Sequence, residues 1–219
     1  MPPRSGARAL EGIGYFSTTG VYGDRQGGRV DETTPPAPTQ PRSILRLEVE
    51  RAWASLAAQK GVACDIIRLG GIYGPGRSAF DTLRAGTARL IIAPDHRFSR
   101  IHVTDIAQGV AAAIATSDGG GRILNFVDDT PAPQSDVMIE ATRLLGIEAP
   151  MPVPLAQAWT DMSPMARSFW SERRIVDSRG TSSILGRPWR YPSYREGLRA
   201  ILDKETAGRQ GGPVKTGHL

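Results

Sequence analysis

Residues 62–69, V-A-C-D-I-I-R-L, form a short and largely apolar run set between a helical periodicity and a glycine-rich turn. A strand of that composition is buried on both faces, which calls for a parallel sheet with helices on either side. The rest of the chain keeps the alternation. The run I-G-Y-F-S-T (13–18) predicts a strand ending in hydroxyl residues, and the proline-rich stretch up to Pro41 excludes helix. After Pro41, Leu45, Val49, Ala52, Trp53, Leu56 and Ala57 recur at helical spacing and predict one apolar face, closed near Gly61. R-L-I-I-A and F-S-R-I-H-V predict strands on either side of a turn at Pro94-Asp95. A helix opening at Thr104 or Asp105, the strand R-I-L-N-F-V and a helix from Pro133 to Leu145 follow. Ser78 is placed to cap a short helix ending at Arg84, and a last helix is expected from about Ser193 to Leu202. Strands alternating with helices give an α/β fold.

Charge and composition narrow the function classes. The net charge of +5 raises the question of nucleic acid. Only Lys60, Lys204 and Lys215 are lysines among 27 basic residues, and the arginines are scattered without interleaved aromatics. A phosphate-tracking groove is therefore not expected, and nucleic acid is not among the expected partners. No apolar run reaches the roughly 20 residues of a membrane span, and the first ten residues lack a secretory apolar stretch. One cysteine, Cys64, allows no internal disulfide. A cytoplasmic protein without membrane partners is expected.

Four motifs occur in order: S-T-T-G-V-Y-G followed by D-E-T-T-P-P-A-P; R-L-G-G-I-Y-G-P-G; R-I-H-V-T-D-I-A; and L-G-R-P-W-R-Y-P-S-Y-R-E-G-L. Together they resemble the C-terminal part of an extended, atypical short-chain dehydrogenase/reductase of the NAD-dependent epimerase/dehydratase type, over residues 12–203. The resemblance implies an incomplete Rossmann-type, doubly wound parallel sheet with a small C-terminal substrate-side subdomain. The expected division is a lead-in at 1–11, a partial NAD(P)-binding domain at 12–146, the subdomain at 147–203 and a disordered tail at 204–219. It also implies NAD or NADP as cofactor and a small-molecule substrate carrying a hydroxyl or carbonyl. The glycine-rich turn that holds the pyrophosphate in this family is not found after the first strand. The chain is accordingly expected to start at the family's fifth strand, as a truncated gene product would, with an uncovered sheet edge open to self-association.

The same resemblance names candidate residues. Thr18 matches the family's catalytic hydroxyl, which hydrogen-bonds the reacting oxygen; the competing reading is that it satisfies backbone groups at a strand end. Arg42 and Arg46 stand where the family has its tyrosine and lysine, and a guanidinium stays protonated. Arg42 is thereby excluded as an acid–base, whereas Arg46 retains the capacity to hold a ribose or carboxylate. Gly70, Gly71 and Ile72 match the loop facing the nicotinamide. Tyr22, Arg77 and Arg100 are candidates for the substrate. His102 and Asp105 are expected to be structural, and no further His, Cys or Asp cluster completes a metal site. An NAD(P)-dependent oxidoreductase or epimerase, a non-catalytic nucleotide-sensing or scaffold protein on the same fold, and an inactive gene fragment remain open.

Overall fold

The computed structural model describes residues 10–210; residues 1–9 of the expected lead-in at 1–11 and the end of the tail at 211–219 lie outside them. β1 (Gly12–Thr18) runs into a 3-10 turn at Thr19–Tyr22 and then a turn-rich stretch that holds only the two-residue β2 (Arg29–Val30). α1 (Pro41–Lys60) has proline at its first position, where no N–H is needed, and Gly61 ends it in the left-handed region at φ 63°, its N–H returning to Ala57 and Ala58. β3 (Ala63–Leu69) and β4 (Gly71–Tyr73) follow, then α2 (Ala79–Arg84). α2 opens as expected at Ser78, whose N–H and Oγ both donate to Asp81 Oδ2 at 2.7 Å.

β5 (Leu90–Ile92), β6 (Arg100–His102), α3 (Val103–Ala115), β7 (Gly121–Phe126) and α4 (Gln134–Leu145) complete the first two thirds. Then come β8 (Pro152–Pro154), α5 (Leu155–Thr160), α6 (Pro164–Trp170), β9 (Ile175–Val176), α7 (Arg179–Leu185) and α8 (Tyr194–Gln210). The main sheet is parallel in the order β1-β3-β7, with β3 buried along nearly its whole length, as its composition required. Smaller parallel pairs join β2 to β9, β4 to β6 and β5 to β8. The strands on either side of Pro94 therefore do not pair with each other: β5 takes β8 and β6 takes β4. Among the described residues no helix is long and apolar enough to cross a membrane.

One face of the sheet carries Ile67, Leu124 and Phe126, which pack with Ile101, Ala113, Leu185 and Trp189. α7 and Trp189 thus belong to the same core as β7. A second core joins Tyr73, Phe80, Ala141, Tyr194, Leu198 and Ile201. Leu198 and Ile201 anchor α8, and Glu205 binds Arg84 through paired bonds of 3.1 and 2.6 Å. These contacts carry α8 to Gln210, eight residues beyond its expected end, so residues 204–210 are helix and not a disordered tail.

α1 corrects a second expectation. Of its apolar stripe only Ala57 is buried, with Leu45 61% and Leu56 38% exposed, and the other buried positions are Ser43, Leu47 and Glu50. The sheet face beneath it presents Ser17 on β1 and, in register, Arg68 on β3. Those polar groups need a partner, and Glu50 turns inward to supply it.

Candidate functional site

Parallel sheets bind ligands at the carboxyl ends of their strands. Here those ends carry Thr18, Leu69-Gly70 and Phe126-Val127-Asp128. Behind them runs a buried polar chain. Ser17 Oγ donates to Glu50 Oε1, and Arg68 holds the same carboxylate from Nε at 3.1 Å and Nη2 at 2.7 Å. The Arg68 guanidinium lies 4.8 Å over the ring of Tyr22, whose hydroxyl donates to Asn125 Oδ1 at 2.8 Å. Asn125 N–H donates to Thr181 Oγ1, which in turn donates to Glu32. The chain ties α1, β3, β7, α7 and the loop after β2 into one frame. Burial raises the Tyr22 phenol above its ordinary range, and Arg68 only partly offsets this.

Tyr22, a candidate either for the substrate cleft or for packing beneath the following loop, has no exposed surface and is a core residue. Its ring is needed where Arg68 and Asn125 converge, and that holds it inside. Thr18 is half-buried, and its Oγ1 accepts from Gly20 N–H at 3.1 Å, capping the 3-10 turn. The cap uses a lone pair and leaves the hydroxyl hydrogen free to donate. Arg46, exposed on α1, donates from Nη1 to Tyr15 Oη at 3.1 Å and to the carbonyl of Phe16 at 2.9 Å. It braces β1 from the helix that would carry the family's lysine. Arg42 is exposed.

Gly70 is required by close packing. A Cβ there would stand 2.8 Å from Ser99 O and 2.9 Å from Val127 Cγ1, where β3 passes into β4. Gly71 has room for a side chain, and Ile72 is a sheet residue paired with Ile101 and packed on the main core. Gly70→Ala is expected to cost about 1–3 kcal/mol, the range for overpacking, measured by urea denaturation, whereas Gly71→Ala at an open position should cost less than about 1 kcal/mol.

Arg77 and Arg100 are brought together: both line a cavity of about 420 Å³, with Tyr73, Ser78, Val137 and Tyr194 among its walls. They lie 23 positions apart in sequence, and only the resemblance had assigned both to a substrate. His102 caps α3, its Nδ1 accepting from Thr104 N–H, while its buried Nε2 has no partner among the described residues. Asp105 accepts from the N–H groups of Arg190 and Tyr191 and so holds the R-P-W-R-Y-P segment against α3. Both are structural, as expected. Asp128, at the end of β7, was not picked out from sequence. It is 1% exposed, neither carboxylate oxygen has a partner at full hydrogen-bond geometry among the described residues, and burial pushes its acid up to about 8 against the opposing pull of Arg100 and the Thr130 N–H. No group of three or more potential metal ligands occurs among the described residues.

A dinucleotide needs a strand, a glycine turn and a helix whose N-terminus meets the pyrophosphate. Gly70 and Gly71 lead into β4, Gly20 lies in a four-residue turn, and β7 is followed by D-D-T-P-A-P. Among the described residues no strand opens a helix through such a turn. They offer a hydroxyl and an arginine at the rim but do not fit a complete dinucleotide.

The sequence model of the "NAD dependent epimerase/dehydratase family" matches residues 6–126. A structure described as a functionally unknown conserved protein from Silicibacter pomeroyi is 43% identical and superposes with a TM-score of 0.80, over 89% of this chain and 66% of its own. Protein YeeZ of Escherichia coli is 32% identical over 146 residues, 66% of this chain and 50% of YeeZ. Human epimerase family protein SDR39U1, solved with NADPH, shares the fold at a TM-score of 0.74 and 21% identity, over 90% of this chain and 67% of its own. The chain thus spans about half the length of the curated relative and two thirds of the solved ones.

Proposed function

The chain belongs to the NAD dependent epimerase/dehydratase family, and from that premise we propose that it forms the substrate-side part of an atypical NAD(P)-dependent oxidoreductase or epimerase acting on a hydroxyl- or carbonyl-bearing small molecule. The observation that carries this reading is Thr18. It stands at the carboxyl end of β1 with its hydroxyl proton uncommitted among the described residues, in the strand-to-turn motif S-T-T-G-V-Y-G. From there it donates to the reacting oxygen and steadies the charge that develops on it. NAD(P), when bound, supplies hydride chemistry; SDR39U1 was solved with NADPH. Arg46 braces the strand that presents Thr18, and Gly70 keeps the β3–β4 crossing tight beside it. Residues 12–146 carry the rim, and 147–203 contribute the substrate-side subdomain together with α7 and Trp189 of the shared core.

A second reading, a non-catalytic binding protein on the same fold, is favoured by Arg42 and Arg46 in place of a proton-transfer pair. A hybrid separates the two. The portion of the Silicibacter pomeroyi protein that this chain does not span is joined ahead of Leu10, and NADPH oxidation is followed over a panel of carbonyl compounds. Turnover that falls about 100-fold in Thr18→Ala and survives in Thr18→Ser supports the catalytic reading. NADPH binding without turnover on any compound supports the other.

Self-association belongs to the same proposal. Among the described residues β1 pairs only with β3, and Phe16, on the face opposite to Ser17, is 49% exposed. An unpaired strand edge recruits another chain. Residues 1–219 are expected to run as dimers or larger species in light scattering; a monodisperse monomer would count against this.

A further inference from the structure

α1 meets the turn after β1 through a second hydroxyl. Ser43 stands in the first turn of α1, where its N–H donates to the carbonyl of Gln40 at 2.9 Å. α1 buries two polar side chains, Ser43 and Glu50. Glu50 is bound by Ser17 and Arg68, whereas Ser43 Oγ has no hydrogen-bond partner among the described residues. A hydroxyl withdrawn from water is costly without a partner. The wholly enclosed polar side-chain atoms without partners belong to His102 and Asp128 among the described residues. The Ser43 hydroxyl, on a residue 9% exposed, therefore keeps an opening to the surface.

That opening lies beside Thr18. Gly20, itself buried, separates the two hydroxyls: a Cβ there would stand 2.8 Å from Ser43 Oγ and 3.3 Å from Thr18 Oγ1. Any side chain at position 20 would displace one hydroxyl or part them, and the bare Cα leaves them converging at the end of β1. Both keep a proton to donate, because the Gly20 N–H occupies only a lone pair of Thr18. We propose, on the reading built on Thr18, that Ser43 is a second catalytic hydroxyl, donating to the same reacting oxygen as Thr18. A serine without a base keeps its proton near neutral pH, so Ser43 polarises and holds the oxygen and takes no part in proton transfer. Two fixed donors steady the charge that develops on an oxygen better than one.

Two measurements test this. In residues 1–219, Ser43→Cys puts a thiol at the same point, and iodoacetamide is expected to alkylate it about tenfold or more faster than the buried Cys64. A thiol at position 43 as slow as Cys64 shows an enclosed packing position and overturns the proposal. In the hybrid that carries the Silicibacter pomeroyi portion, Ser43→Ala is expected to lower kcat about tenfold or more while KM for NADPH stays unchanged. Should Ser43→Ala not fold, Ser43→Cys decides, since it keeps the volume and donates only weakly, and its kcat is expected to fall as well. A serine that serves packing alone would lower stability and leave kcat in place. Wild-type kcat in the folded position-43 variant, with Thr18→Ala impaired, removes this proposal and leaves the Thr18 reading standing. Absence of turnover in the hybrid with Thr18 and Ser43 both intact removes the Thr18 reading and this proposal with it.

Discussion

Arg68→Met is expected to cost about 3–5 kcal/mol of stability, the range for removing one partner of a buried ion pair. The side chains of Arg68 and Glu50 are only 4% and 5% exposed. Losing the guanidinium strips two hydrogen bonds from Glu50, leaves Ser17 as its remaining donor, and removes the cation over the ring of Tyr22. The carboxylate then remains buried with too few donors. Replacing both partners, Arg68→Met with Glu50→Leu, removes the stranded charge and should recover a large share of the loss. The two single changes and the double change form a cycle that isolates the pair. Urea denaturation at neutral pH reads all four proteins. A loss below about 1 kcal/mol for Arg68→Met would mean that water reaches Glu50 and that the polar chain is not the frame of the strand ends.

Asp128→Asn is expected to change the pH dependence of stability by a comparable amount. Asp128 is buried among Arg100, Asp129 and Asp105, with Tyr73 close enough to feel its charge. Its acid lies at about 8 in the folded protein against an ordinary value of 3.8. Between those two values the folded state keeps a proton that the unfolded chain has lost, so stability falls as pH rises and levels off above the upper one. From pH 5 to pH 8 this group alone removes about 4 kcal/mol, at about 1.4 kcal/mol per unit. Asparagine has no such proton, so the stability of Asp128→Asn relative to wild type should rise by that order over the same interval. His96, pushed down to about 4 from 6.5 by burial and then by Arg173 and Arg174, acts oppositely. Its neutral form is favoured on folding, so its contribution is full above pH 6.5 and shrinks as pH falls toward 4. Both proteins carry His96, so it drops out of the difference. Denaturation curves that stay parallel from pH 5 to pH 8 would show that Asp128 is ionised and hydrated.

Much of the fold could be read from the chain because the signals were local. β3 announced itself by its apolar run, α1 by Pro41 and Gly61, and α2 by Ser78. What failed depended on partners distant in sequence. The stripe Leu45-Trp53-Leu56 looked like a core face, but Ser17 and Arg68 on the sheet drew Glu50 inward and turned the helix. β2 has two residues in a turn-rich stretch and exists only because β9 pairs with it across 146 positions. The extra turns of α8 depend on Glu205 meeting Arg84. The candidate site shows the same division. Thr18 was marked by its motif, whereas the meeting of Arg77 with Arg100 and the isolation of Asp128 are products of packing.

The rim of residues 10–210 carries the Thr18 hydroxyl and no pyrophosphate cradle. Titration of residues 1–219 with NADPH, followed by quenching or enhancement of the nicotinamide fluorescence, tests it most directly. The expected result is no saturable change and no thermal stabilisation at millimolar NADPH or NADH. Stoichiometric binding of the intact dinucleotide by these residues would contradict it.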